Sequence, residues 1–249
     1  MNVESKNRCL TGISGLDALL NGGIPRGNSV LISGSCGTGK TTISLEFLIR
    51  GAETNENGLY ISATEIGSNV MNNLVPFDFF KQEYFDSGKI EVLDVPKIYE
   101  ELKLTKMEFD KDDIDKFIDY IGKKIEKGEI KRLVIDSLTS ICYRLRTEEK
   151  IREFIIKIEK KVNDNGITAL LVSELLPTAK GYSQYGVEEA VADGILLLGN
   201  LKRRGDLLRT LQIIKMRGTA HSRAEYVMDI TSIGILISPL LKGGTVMSL

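Results

Sequence analysis

The chain has 249 residues, 42% hydrophobic and 27% charged, with 33 Lys plus Arg against 34 Asp plus Glu for a formal charge of -1. That allows one large α/β domain or two small ones, and excludes a chain-wide basic surface for nucleic acid or an anionic membrane. No apolar stretch is long enough to span a bilayer.

The first residues, MNVESKNR, carry no signal-peptide core. Cys9, Cys36 and Cys142 are scattered, without a C-x-x-C, which fits reduced thiols in a cytoplasmic protein. Residues 8–23 predict a small helix capped by Ser14 and Asp17 and ended by Gly22-Gly23, with Leu16, Leu19 and Leu20 inward. A turn at residues 24–27 leads into an apolar, β-rich run, NSVLIS, at 28–33, and residues 41–50 have helical spacing through Ile43, Phe47 and Leu48. Next come a strand at 59–62 ending in Ala63-Thr64-Glu65, a helix over 68–81 interrupted around Pro76, and a strand at 89–95.

Residues 97–112 read as charged and irregular. Two amphipathic helices follow, at 113–127 and 148–162, with a strand at 132–135 between them that ends in Asp136-Ser137. A strand at 167–172 ends in Ser173-Glu174. Alternating strands and helices predict a parallel sheet covered on both faces. Four strand-like runs at 194–198, 208–216, 226–230 and 234–237 predict an antiparallel extension. With no repeat or long linker, one domain over 1–249 is the economical reading.

Ser33 to Thr42 reads SGSCGTGKTT and holds G-x-x-x-x-G-K-[ST], with Gly34, Gly39, Lys40 and Thr41 in the fixed places. It lies between a strand and a helix, where a phosphate-binding loop has to lie. The backbone of Gly34, Ser35, Cys36, Gly37, Thr38, Gly39 and Thr42 can cradle phosphate oxygens, helped by the free N–H groups of the helix start. Lys40 can reach the β- and γ-phosphates and Thr41 can hold Mg²⁺. Cys36 reads as a small filler, or as a thiol whose oxidation would block nucleotide.

Other candidates sit at strand ends. Asp136 predicts a carboxylate beside the loop, on an adjacent strand, orienting Mg²⁺. Glu65 can act as general base, or is an acid near a helix start. Ser173 can sense the γ-phosphate, or is an ordinary strand-end serine. Lys215 and Arg217, two residues apart, would point the same way on a strand, which by periodicity alone is an ordinary solvated face, and His221 is the only histidine. No N-K-x-D guanine signature is present, so adenine is favoured.

The stretches TGISGLDALLNGGIPRGNSVLISGSCGTGKTT, LVIDSLTS and YGVEEAVADGILLL…LLRTLQIIKMRGTAHSRAEYVMDI resemble the KaiC-type ATPases of the RecA/RadA superfamily over roughly residues 8–240. The resemblance implies one RecA-like domain that assembles into rings, usually hexamers, with ATP between subunits. It implies that Lys215 and Arg217 act on a neighbour's γ-phosphate and that His221 contacts bound nucleotide. Two departures stand out. Thr64-Glu65 replaces the family's two adjacent glutamates, which implies slow hydrolysis. Glu189 and Ala190 stand where the clock protein's autokinase domain has Ser and Thr, which disfavours clock-style autophosphorylation.

Three functions follow: a slow ring ATPase that regulates a protein partner, a nucleotide-dependent scaffold, or a RadA-like DNA binder. The last would use Arg144, Arg146, Lys180, Tyr182 and Tyr185. Neutral net charge disfavours DNA without excluding it.

Overall fold

The computed structural model of the protein describes residues 7–176, 179 and 181–240. Two short strands, β1 (Arg8–Cys9) and β2 (Ile24–Pro25), bracket α1 (Leu16–Leu19). There follow β3 (Ser29–Gly34), α2 (Lys40–Glu53), β4 (Asn57–Ser62), α3 (Gly67–Asn72), α4 (Gln82–Asp86), β5 (Ile90–Asp94), α5 (Val95–Glu101) and α6 (Lys111–Lys127). The chain continues through β6 (Ile130–Asp136), α7 (Leu138–Cys142), α8 (Glu148–Asp164), β7 (Thr168–Glu174) and α9 (Val187–Val191). It closes with β8 (Gly194–Arg203), β9 (Asp206–Met216), β10 (Glu225–Thr231) and β11 (Gly234–Pro239).

Nine strands form one sheet in the order β11-β10-β9-β8-β3-β7-β6-β4-β5. β8 through β5 in that order are parallel, and β9, β10 and β11 add an antiparallel extension. The fold is thus the expected α/β sheet. Every residue of β3 is buried, as a central parallel strand covered on both faces requires. One apolar layer packs α6 and α8 on the sheet through Phe117, Ile121, Phe154 and Ile158 against Leu133, Ile135 and Leu171. The other packs α2 through Phe47 and Leu48 against Val30, Ile32, Val134 and Leu170.

The β8/β9 pairing carries a bulge. Leu196 faces Ile213, but Ile195 faces Lys215, so Ile214 is the extra residue. Leu211 and Ile213 belong to the α2 layer, whereas Ile214 packs on the α6/α8 layer. The extra residue therefore moves Lys215 to the face opposite that of Ile213.

Several local expectations change. Gly15, at φ 89°, is the N-cap of α1, and Ser14 instead bridges to Leu236. The Asp17 carboxylate accepts from the Thr11 N–H at 2.8 Å and hydroxyl at 2.7 Å. Leu19 is only partly buried. The helix expected over 68–81 stops at Asn72, and Leu74, Phe77 and Phe79 pack in turns ahead of Pro76 and after it. Part of the expected irregular segment is α5, where Pro96 sits in a first turn that needs no N–H there and Ile98 is buried. α6 starts two residues early because Asp110 and Asp113 form a reciprocal capping box. α7 and α9 are helices too short for periodicity to reveal.

A buried ion pair lies on the α2 side of the sheet. Arg132, 2% exposed, donates to Glu56 at 2.6 Å, to Phe47 O at 2.7 Å and to Leu10 O at 2.8 Å. Glu56 also pairs with Arg26. Gly51 lies inside α2 because a Cβ there would stand 2.4 Å from Arg132 Cδ. Alanine ordinarily gains about 1 kcal/mol over glycine in a helix. Gly51→Ala is nonetheless expected to lower stability by about 1–3 kcal/mol, read by urea unfolding, because Arg132 has no room to move.

Candidate functional site

The loop between β3 and α2 leaves the carboxyl end of a central strand, where open α/β sheets bind ligands. Gly39 at φ 94° is the left-handed N-cap of α2, and it lets the first turn of the helix point its free N–H groups into the loop. Lys40 is buried, and its ammonium donates to Gly34 O and Ser35 O, both at 2.9 Å. Burial pushes this ammonium below its ordinary pKa, while the carboxylates of Glu174 and Asp136 pull it back up. A polyanion in the loop would draw Lys40 off these carbonyls and favour its charged form. Thr38 is fully buried and donates to Ser35 O at 2.8 Å, which braces the loop. Thr42 lies half-buried in the first turn of α2, and Cys36 is exposed.

Asp136 ends β6. It is not on the strand next to β3, as expected, because β7 lies between them. It still reaches the loop: the Thr41 hydroxyl donates to Asp136 Oδ2 at 2.7 Å. That leaves the Thr41 oxygen lone pairs and Asp136 Oδ1 open to a hard cation, the donor set that suits Mg²⁺. Tyr60, one of the large fully buried side chains, donates to the same Oδ2 at 2.8 Å. Burial, then the charge of Asp136, holds the Tyr60 phenol well above its ordinary pKa, so the hydroxyl keeps the proton it donates to Asp136. The sequence reading missed Tyr60. A tyrosine inside an aliphatic buried strand was the available signal, since its hydroxyl must find a partner.

Ser173 lies across from Ser33 in the β3/β7 register and is fully buried. Its hydroxyl accepts from Gln184 N at 3.4 Å. Thr139 Oγ1 stands at 3.4 Å from it and accepts from Glu174 N at 3.0 Å. Ser35, Cys36, Thr139, Tyr143, Glu174 and Gln184 line an open cleft of about 680 Å³ beside the loop. Arg209, also unforeseen, brings a cation to the loop by donating to Gly37 O at 3.1 Å. Glu65 stands past the end of β4. It is exposed, and its carboxylate accepts from Asn73 at 3.3 Å. Among the described residues it makes no hydrogen bond to Lys40, Thr41 or Asp136.

Lys215, Arg217 and His221 lie elsewhere. Met216 pairs with Gly194, which pairs with Val30 at the start of β3. The loop leaves the other end of that strand, roughly 13 Å further along at 3.3 Å per residue. Both cations point the same way, onto the carbonyls around α9. Lys215 donates to Ala192 O at 2.6 Å and Glu189 O at 3.2 Å. Arg217 donates to Val191 O at 3.2 Å and pairs with Asp193 at 3.0 Å. Burial, then the like charge of Arg217, lowers the Lys215 pKa. His221 lies on the same edge, where neighbouring Ser222 N donates to Leu19 O at 3.4 Å and its own Nδ1 is 3.1 Å from Ser222 O. None of the three joins the loop of its own chain.

The residues considered for nucleic acid have other partners. Arg144 stacks on Tyr99 and Phe109 at 4.7 and 5.3 Å, Arg146 lies over Tyr143 at 4.4 Å, and Tyr185 donates to Thr139 O at 3.3 Å. Tyr182 is exposed, and Lys180 lies outside the described residues. No described helix is long and apolar enough to cross a membrane.

Three comparisons bear on this arrangement. Residues 9–242 match a family model described as "ATPase: KaiC". A UPF0273 protein of Pyrococcus horikoshii is 35% identical over 97% of this chain and 99% of its own length. The circadian clock oscillator protein KaiC of Synechococcus elongatus is 32% identical over 92% of this chain, which spans 44% of that protein. A crystal structure of a KaiC-like protein from Pyrococcus horikoshii superposes with TM-score 0.80 at 34% identity, covering 93% of this chain and 99% of that one.

Proposed function

The chain belongs to the KaiC ATPase family, and from that premise we propose that it hydrolyses ATP slowly where two copies meet in a ring. The triphosphate lies in the loop of Gly34, Ser35, Cys36, Gly37, Thr38, Gly39, Lys40, Thr41 and Thr42. Lys40 leaves its loop carbonyls for the β- and γ-phosphates. Thr41 and Asp136 would hold Mg²⁺, which would supply positive charge to offset that of the phosphates. Tyr60 keeps Asp136 oriented, and Ser173 lies under the γ-phosphate. Glu65 takes the proton of the attacking water, and its exposure agrees with slow turnover.

One observation carries the interfacial part of this reading. The phosphate loop and the Lys215/Arg217 pair sit at opposite ends of the same span of sheet. A cation pair there is out of reach of its own chain's nucleotide, and in this reading it serves that of another copy, along with His221. The unit is one domain over 1–249, and the ring's change of shape on turnover regulates a protein partner in the cytoplasm. Clock-style autophosphorylation is disfavoured at this site. Glu189 and Ala190 have no hydroxyl, and their carbonyls accept from Lys215 and Arg217.

The test is phosphate release under saturating Mg-ATP by wild type and Glu65→Gln. The expected loss is about tenfold, below the usual general-base range because the carboxylate is exposed and held by Asn73. Equal rates at background would remove the enzyme and leave a nucleotide-dependent scaffold.

A further inference from the structure

Arg217 and the strand that carries the phosphate loop meet at one residue, Asp193, just ahead of β8. Asp193 Oδ1 accepts from Arg217 Nη1 at 3.0 Å, and Oδ2 accepts from the Ser29 backbone N–H at 3.1 Å. Its backbone closes the same circuit. Asp193 O accepts from Arg217 N at 2.9 Å, and Asp193 N donates to Ser29 O at 2.9 Å. The other acceptors of the guanidinium are neutral carbonyls, at 3.2 Å on Val191 and 3.4 Å on Ala190. Ser29 is the first residue of β3, and its own hydroxyl donates to Glu159 at 2.8 Å. Lys215 reaches past this cluster to Ala192 and Glu189 and makes no hydrogen bond to Asp193 among the described residues.

Two properties make this more than a surface ion pair. The Asp193 side chain is 22% exposed and doubly engaged, whereas that of Arg217 is 54% exposed and would otherwise be free to change rotamer. β3 is buried throughout and hydrogen-bonded on both sides, so it behaves as a stiff link from Ser29 to Gly34. We propose that Asp193 is a positioning residue that aims Arg217 at the neighbouring copy's nucleotide and ties that aim, through Ser29 and β3, to the chain's own phosphate loop. Each subunit then joins two sites: the one its loop fills and the one its arm completes. The inference rests on the interfacial reading above.

Mixed rings test it. Lys40→Ala copies keep the arm and lose the loop cation. Asp193→Asn copies keep the loop, and an acceptor for the Ser29 N–H, but lose the charge facing Arg217. Alone, Asp193→Asn is expected to turn over about tenfold more slowly than wild type, the scale of one charge-assisted hydrogen bond. Mixed with Lys40→Ala, it should recover turnover several-fold above the average of the two, because some of its loops now receive an intact arm. Turnover at the average would place the damage in its own loop and overturn the proposal.

Arg217→Ala mixed with Lys40→Ala is the control. If that mixture also fails to recover, the interfacial reading falls and this inference with it. If it recovers and the Asp193→Asn mixture does not, only this inference falls. A second readout covers any loss of stability in Asp193→Asn. Arg217→Ala with Asp193→Asn should be as slow as Arg217→Ala alone, since Asp193 acts only through Arg217. A further drop in the double variant would overturn the assignment.

Discussion

Arg217→Ala is expected to slow ATP turnover by roughly 10³-fold or more while the chain's own loop still takes up nucleotide. The argument is one of position. The guanidinium lies at the edge where β3 begins, and the loop of the same chain lies where β3 ends. Removing the side chain therefore leaves Lys40, Thr41 and Asp136 untouched and, on the interfacial reading proposed above, withdraws charge from a site on another copy. Fluorescent-nucleotide binding and phosphate release, measured on the same preparation, separate the two effects. Parallel loss of binding and turnover would mean that Arg217 acts within its own chain. Mass in solution with and without Mg-ATP adds an independent check, since a monomer turning over ATP at the wild-type rate would remove any role for a neighbour.

Glu56→Gln is expected to lower stability by about 3–5 kcal/mol, because it leaves the Arg132 guanidinium buried without its counter-charge. For a chain of this size that corresponds to a fall in Tm on the order of 10 °C. Burial alone would raise the Glu56 pKa, but Arg132 and Arg26 outweigh it and hold the carboxyl below its ordinary value. A depressed carboxylate pKa stabilises the fold above the unfolded-state pKa of about 4.3, and that stability is lost as pH falls through the folded-state value. Melts from neutral pH downward should therefore show wild type and Glu56→Gln converging in acid. Adding Arg132→Met should recover part of the loss at neutral pH, since the unpaired charge leaves with it. A penalty under about 1 kcal/mol at neutral pH would put this contact among ordinary surface pairs.

The parts of the site that were legible in the sequence are those written locally. Gly34 to Thr42 is contiguous and lies between a strand and a helix, so its conformation follows from its own residues. Asp136 was visible as an acid closing an apolar strand, but its neighbour was not, because strand order is set by crossovers that no local pattern records. Tyr60 and Arg209 reach the loop only through the pairing of distant strands. α5, α7 and α9 escaped because helices of five to seven residues carry too few apolar positions to set a period. The α6 boundary moved because a side-chain capping box decides it. Lys215 and Arg217 stand out in the sequence by their spacing, but their placement opposite the loop is a property of the sheet.

The bulge at Ile214 fixes a parity. Counting alternately from Leu211 and Ile213, position 215 belongs with the α2 layer, and one inserted residue transfers it to the side of α9. The bulge, independent of side-chain identity, thus selects which flank of the molecule presents this cation. Pairing Ile214 itself with Ile195 would leave Lys215 in the chain and the sheet paired, yet turn its ammonium towards the α2 side of the molecule. A comparison of homologous chains by residue type alone would score that lysine as retained. A comparison by strand pairing would find it misdirected.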